Sequence, residues 1–238
     1  MKSNFQCLNC GKCCNSYYAQ INITIGDIIR ISDFMKKPIS YILKNFIGIN
    51  AFGDPENPEK FSYEFGINMP CALRKDEKCS VYQARPLNCR LFPYWVLVHA
   101  SKSGSKDFID DSYKCMSGIN LNEKELKKYD NYVKVIGEAL MEEGEFTDKI
   151  LDDIQIMRSV DLQHNQDYKK IAEKYKDVQK PEDFKKLEEE KIRLAKEIFS
   201  ELDDHQISLI EEKAKNPDLV EKIKNNTEKI QDAEKILD

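Results

Sequence analysis

Apolar and polar residues follow two different rhythms along the chain, and the change falls near residue 119. Before it, short apolar runs are punctuated by turn formers. YYAQINI (17–23) is rich in aromatic and β-branched residues and reads as a strand. TIGDIIRISDFM (24–35) has helical spacing: Thr24 can cap, Asp27 stands three residues on, and Ile25, Ile28, Ile29 and Phe34 form the expected buried face. Pro38 predicts the start of a second helix, PISYILKNFI, because proline suits the first helical position. FGDPENPEK (52–60) is a turn-rich loop, FSYEFGINMPCAL (61–73) a strand and RKDEK (74–78) a charged turn. Residues 94–100 are apolar enough for a buried strand, with DFIDDSY (107–113) placed to pair with it across the SKSGSK turn.

From residue 121 the rhythm is helical, first in LNEKELKKYDNYVKVIGEALMEE and then in FTDKILDDIQIMRSVDL. Residues 181–202 align Phe184, Leu187, Leu194, Ile198 and Leu202. Residues 216–237 align Leu219, Val220, Ile223, Ile230, Ala233 and Leu237. Such stripes are core or helix-partner seams. The expected fold class is α+β: a small cysteine-rich domain of short strands and helices over 1–118, then a charged helical region over 119–238. The latter reads as a helical hairpin or bundle, or as a dimer seam, and is the natural place for a protein partner.

Charge sharpens the division. Residues 1–118 carry a formal +4 and residues 119–238 a formal −9. All eight cysteines lie in the first part. With 238 residues, a core can be buried without covalent staples. MKSNFQC has no secretory character and no run approaches a membrane span, so a reducing cytoplasm is expected, and no membrane partner. The abundance of Lys, Ile, Asn and Glu fits an AT-rich prokaryotic genome. In a reducing compartment a dense cysteine cluster points to metal rather than disulfides.

The cysteines are Cys7, Cys10, Cys13, Cys14, Cys71, Cys79, Cys89 and Cys115. A stride of three over Cys7, Cys10 and Cys13 lets one loop wrap a single centre, as in the C-x2-C-x2-C run that holds an iron–sulfur cluster. Structural zinc more often draws two C-x2-C pairs from separate knuckles, whereas the later spacings here are 8, 10 and 26. The stride therefore favours iron–sulfur, with zinc as the alternative. Adjacent residues of an extended segment point apart, so Cys13 and Cys14 are expected to serve different centres or roles. Two groups of four ligands is the favoured division, against one centre plus other thiols. Eight unpaired thiolates could not share an interior, and Lys12, Arg85 and Arg90 stand beside the ligands in sequence, where they can offset the residual charge. Pro86 reads as a helix start with Cys89 one turn inside, where backbone amides favour a thiolate. Pro93 is expected to end that helix and turn Tyr94 and Trp95 toward the core.

C-x2-C-x2-C-C, followed by C-x7-C-x2-Y-x2-R-P-x2-C-R-x-F-P and the late Cys115 of CMSG, resembles the YkgJ-like CxxCxxCC cysteine-cluster family, a zinc- or iron-chelating domain. The resemblance covers about residues 5–118 and implies metal binding by the cysteines. That family includes flagellin lysine methylases in a longer chain, so lysine methylation is a further activity the resemblance implies. No glycine-rich loop after a strand and no C-x3-C-x2-C run accompanies it. His99, His164 and His205 are scattered, and His99 reads as a satisfied core histidine ahead of a ligand or proton donor. No residue pattern marks a catalytic group. The basic excess is small and not interleaved with aromatics, so no nucleic-acid partner is expected. The function expected is that of a cytosolic cysteine-cluster metalloprotein with an electron-transfer or oxidoreductase-like role. The alternative is a zinc-stabilised interaction module.

Overall fold

The computed structural model describes residues 5, 7, 11, 14, 21–104, 115–116, 119–177, 180–199 and 201–237. Within them the Thr24 capping box forms as expected and opens helix α1 (Ile25–Met35). Its hydroxyl accepts the Asp27 N–H at 3.0 Å, and the Asp27 carboxylate accepts the Thr24 N–H at 3.2 Å. The helix buries Ile25, Ile28 and Ile31, while Ile29 is half-buried and Phe34 is 43% exposed. Ile31 thus takes the inward position expected of Phe34. Lys36, in a left-handed conformation at φ 54°, ends the helix. Helix α2 (Ile39–Asn45) follows, with Pro38 as its N-cap rather than its first turn.

Strands β1 (Ile47–Gly53) and β2 (Lys60–Ile67) pair antiparallel around the turn-rich loop, with Ile47 opposite Ile67 and Gly53 opposite Phe61. Phe61, Tyr63, Phe65 and Ile67 alternate inward from β2. Residues 21–23, the described end of the first expected strand, lie along the other edge of β2: the Ile23 N–H donates to the Phe65 carbonyl at 3.0 Å. Residues 17–20 lie outside the described residues. After Ile67 the chain leaves the sheet, so the expected strand over 61–73 ends early. The charged turn becomes a small hairpin of β3 (Arg74–Lys75) and β4 (Lys78–Cys79), with Asp76 and Glu77 both at positive φ.

Helix α3 (Leu87–Leu91) starts after Pro86, as expected. Residues 94–100 are not a strand: they lie in helix α4 (Tyr94–Ser103), closed by Gly104 at φ 69°. Val96, Leu97, Val98 and Ala100 are all buried, and a short run that is apolar on most sides fits either state by periodicity alone. Packing settles it, because the run sits in a cluster with Tyr129 and Met116. Tyr94 turns inward, with ring centroids 4.9 Å from both Tyr129 and Tyr132, but Trp95 is 42% exposed rather than buried. His99 is exposed as well, not a core histidine. The expected partner strand at 107–113 lies outside the described residues.

One helix, α5 (Glu123–Asp153), replaces the first two helical segments expected beyond 121. Its buried positions run Tyr129, Tyr132, Ile136, Ala139, Glu143, Thr147 and Ile150, an unbroken i+3/i+4 stripe. Strand β5 (Ser159–Asp161) returns to β2, giving the sheet order β1-β2-β5. Helices α6 (Gln166–Lys174), α7 (Pro181–Ile198), α8 (Asp204–Lys213) and α9 (Pro217–Leu237) complete an α+β fold. Leu219, Ile223, Ile230 and Ala233 of α9 are buried, while Val220 stands out of the stripe, as does Phe184 of α7. The largest core cluster takes Ile25, Ile28, Ile42 and Phe65 from the first part of the chain, and Leu151, Ile210 and Ile223 from the second. No helix among the described residues is long and apolar enough to cross a membrane.

At the centre of this junction is a buried ionic network. Arg30 donates to both oxygens of Glu143 at 2.7 and 2.8 Å, a bidentate pair, and to Asp27 at 2.6 Å. Thr24 Oγ1 donates to Glu143 at 2.7 Å, and Asn226 Nδ2 of α9 approaches at 3.4 Å. Asp27 and Glu143 are wholly buried. Burial opposes the Arg30 charge, but Asp27 and Glu143 more than offset it and raise its pKa. Gly26 is required here, because a Cβ would overlap the Glu143 carboxylate.

Candidate metal centre

Four local devices place Cys14, Cys71, Cys79 and Cys89. Gly11, buried and at φ 72°, turns the chain so that the Cys14 N–H donates to its carbonyl at 2.9 Å. Cys14 then accepts the Cys71 N–H at 2.8 Å, which ties the first cysteine run to the turn after β2. The β3–β4 hairpin places Cys79, with Arg74 opposite Cys79 in register. Asp27 accepts the N–H of Leu87, the first residue of α3, at 3.0 Å, and so fixes the short helix that carries Cys89.

Cys7, Cys14, Cys71, Cys79, Cys89 and Cys115 consequently line a single cavity of about 360 Å³. They come from the N-terminal run, the turn after β2, the hairpin, α3 and the segment before α5. Cys10, Cys13 and Lys12 lie outside the described residues. Cys7, Tyr82 and Trp95 are exposed and form the cavity's open side. Among the described residues no three Cys, His, Asp or Glu side chains converge closely enough to hold a metal ion as they stand; the thiols line a wall rather than meet at a point.

Two guanidinium groups share that wall. Arg85 Nε and Arg74 Nη1 are buried and have no hydrogen-bond partner among the described residues. A buried donor left unpaired is costly, and both point to an anionic group in the cavity. Arg85 is the cation expected from sequence. Arg90 is not at the cavity: it donates to Glu234 of α9 at 2.5 Å, to the Arg85 carbonyl at 2.9 Å and to the Gln83 carbonyl. Its direction follows from the α3 helix, which turns it toward α9. Arg74 is a residue that sequence reasoning missed, since RKDEK reads as a solvated turn. The available signal was its place between two cysteines of the run.

Three of the thiols, those of Cys71, Cys79 and Cys89, hold their protons more tightly in this environment. Hydrogen bonding to Cys14 and then burial push Cys71 up, and burial pushes Cys79 up. Cys89 is pushed up to about 12, by burial first and then by Asp27 and Cys14. Burial, and after it the Asp27 carboxylate that caps α3, thus works against the thiolate that the amides at the start of α3 would favour. Arg85 acts in the opposite sense on Cys79 and Cys89. A cation in the cavity would displace those protons, as metals do on thiol ligands. Clustered thiols, partly buried and flanked by cationic donors, fit a thiolate-bound metal or cluster.

Gly11 gives a direct test of the geometry. A Cβ there would overlap the Arg74 guanidinium, and φ 72° is a conformation that L side chains rarely adopt. Gly11→Ala is expected to lower metal content per chain while α5 and α9 keep their helical signal. Metal analysis beside circular dichroism reads both, and undiminished metal content would show that the turn does not set the site.

A family profile described as "CxxCxxCC: Putative zinc- or iron-chelating domain" matches residues 6–132, from the first cysteine run into α5. An uncharacterised protein of Methanocaldococcus jannaschii is 32% identical over 98 residues, which is 41% of this chain and 49% of that protein. The match thus spans about half the relative's length. No solved structure matches.

Proposed function

Because the chain belongs to the CxxCxxCC family of zinc- or iron-chelating domains, we propose that its cysteine cavity holds an iron–sulfur cluster and that the protein passes electrons in an electron-transfer or oxidoreductase-like reaction. The observation that carries this reading is that six described cysteines line one cavity, joined in sequence to the C-x2-C-x2-C stride. Such a cluster supplies reversible one-electron chemistry when bound. The residues of the chain do the rest. Cysteines from five segments line the cavity and would supply the four ligands such a cluster takes, so the site would be complete only in the folded protein. Leu73, Val81 and Phe92 exclude water from the inner wall and lower the local dielectric. Arg74 and Arg85 offset the thiolate charge. Tyr82 and Trp95 stand at the exposed side, where a redox partner can approach.

Anaerobic purification tests the reading. A brown protein is expected, with iron and acid-labile sulfide in comparable amounts and a visible absorption that bleaches on reduction. A colourless protein that retains zinc through the same purification would overturn it and favour a zinc-stabilised module whose helices bind a partner.

A further inference from the structure

Arg85 and the last described helix meet in a way that ties α9 to the cavity. The Arg85 side chain is mostly buried, lies over the Tyr82 ring at 4.5 Å and lines the cysteine cavity. Its Nε is buried and unpartnered among the described residues, and its Nη2 stands 3.6 Å from Glu234 Oε1 on α9. That oxygen also accepts from Arg90 at 2.5 Å and from the Tyr132 hydroxyl at 3.3 Å. Arg90 in turn holds the carbonyls of Gln83 and Arg85, so the backbone around Arg85 is clamped from the α9 side. Two guanidinium groups face one carboxylate, which leaves one positive charge at the wall uncompensated.

We propose that Arg85, beside Arg74, is a cation that stabilises the anionic centre in the cavity, and that Glu234, acting through Arg85 and Arg90, is a positioning residue that sets how strongly the centre feels the Arg85 charge. This inference rests on the reading of the cavity as a thiolate metal site. A thiolate-bound centre keeps net negative charge, so a nearby cation favours both its retention and its reduced form. The carboxylate of Glu234 draws part of that field away. The helical part of the chain thereby acts on the metal site without touching it.

The two partners should then have opposite effects, which a purely structural role would not produce. In the full-length, metal-loaded protein, Arg85→Gln is expected to weaken metal retention against a competing chelator by about 10- to 100-fold, and to move the reduction potential negative. Glu234→Gln is expected to move the potential positive and leave retention equal or stronger. Arg85→Lys, which keeps the charge, should restore most of the potential. Should Arg85→Gln fail to fold, Arg85→Lys and Glu234→Gln carry the comparison. Potential shifts of the same sign in Arg85→Gln and Glu234→Gln, weaker retention in Glu234→Gln, or an Arg85→Gln chain with unchanged retention and potential, would overturn the proposal. A wild-type chain that holds zinc instead of iron would overturn only the iron–sulfur reading, because chelator competition still ranks the variants.

Discussion

Arg30→Met should cost about 3–5 kcal/mol of stability, the range for breaking a buried ion pair by removing one partner. The cost arises from what stays behind. Glu143 loses both arms of a bidentate pair and Asp27 loses its cation, and both carboxylates are wholly buried. Because Asp27 also caps α3, the disturbance should reach Cys89. Arg30→Lys should lose less, since it keeps the charge, but not be neutral, since one ammonium cannot reproduce the fork. Chemical denaturation of the two variants checks this. A loss under about 1 kcal/mol for Arg30→Met would mean that the site relaxes by admitting water.

Stripping the metal should lower the melting temperature by roughly 8–16 °C, which combines about 4 kcal/mol of binding linkage at a thousandfold excess over Kd with 2–4 °C per kcal/mol for a chain of this size. The cavity wall is built from segments far apart in sequence, from Cys7 to Cys115, and the ligands cross-link them only when a cation is bound. Chelation under anaerobic conditions, followed by a thermal melt with and without metal returned, reads the effect. An unchanged melt would make the metal a functional passenger with no structural part.

The sequence announced the cysteine site because its signal is local and chemically rare. The capping box at Thr24 and Asp27 was legible for the same reason: the pattern occupies four positions and its partners are its neighbours. Features that depend on distant partners were not legible. Helix α5 reads as two segments because Glu143 and Thr147 interrupt its apolar stripe, and only Arg30, Thr24 and the Ile25 N–H, more than 100 residues earlier, explain why polar groups belong there. Helix α4 reads as a strand because its valines and aromatics favour one, until α5 covers it. Arg90 stands beside Cys89 in sequence yet belongs to α9, since adjacent residues on a helix leave it in different directions.

The Arg90–Glu234 pair spans 144 residues, and that distance has a meaning in time. A ribosome adds about 5–20 residues each second, so Glu234 follows Arg90 out by roughly 7 to 30 s. Once Cys115 has followed Arg90, and for most of that interval, all the cysteines have been made, while Arg85 lacks the carboxylate that tempers it and the clamp that holds its backbone. The nascent thiols are thus displayed to oxidants, and to whatever delivers metal, before the far end of the chain arrives. Loading during synthesis would meet a more open and more cationic cavity than loading afterwards, so the order of translation and metal delivery becomes a variable in how the protein is assembled.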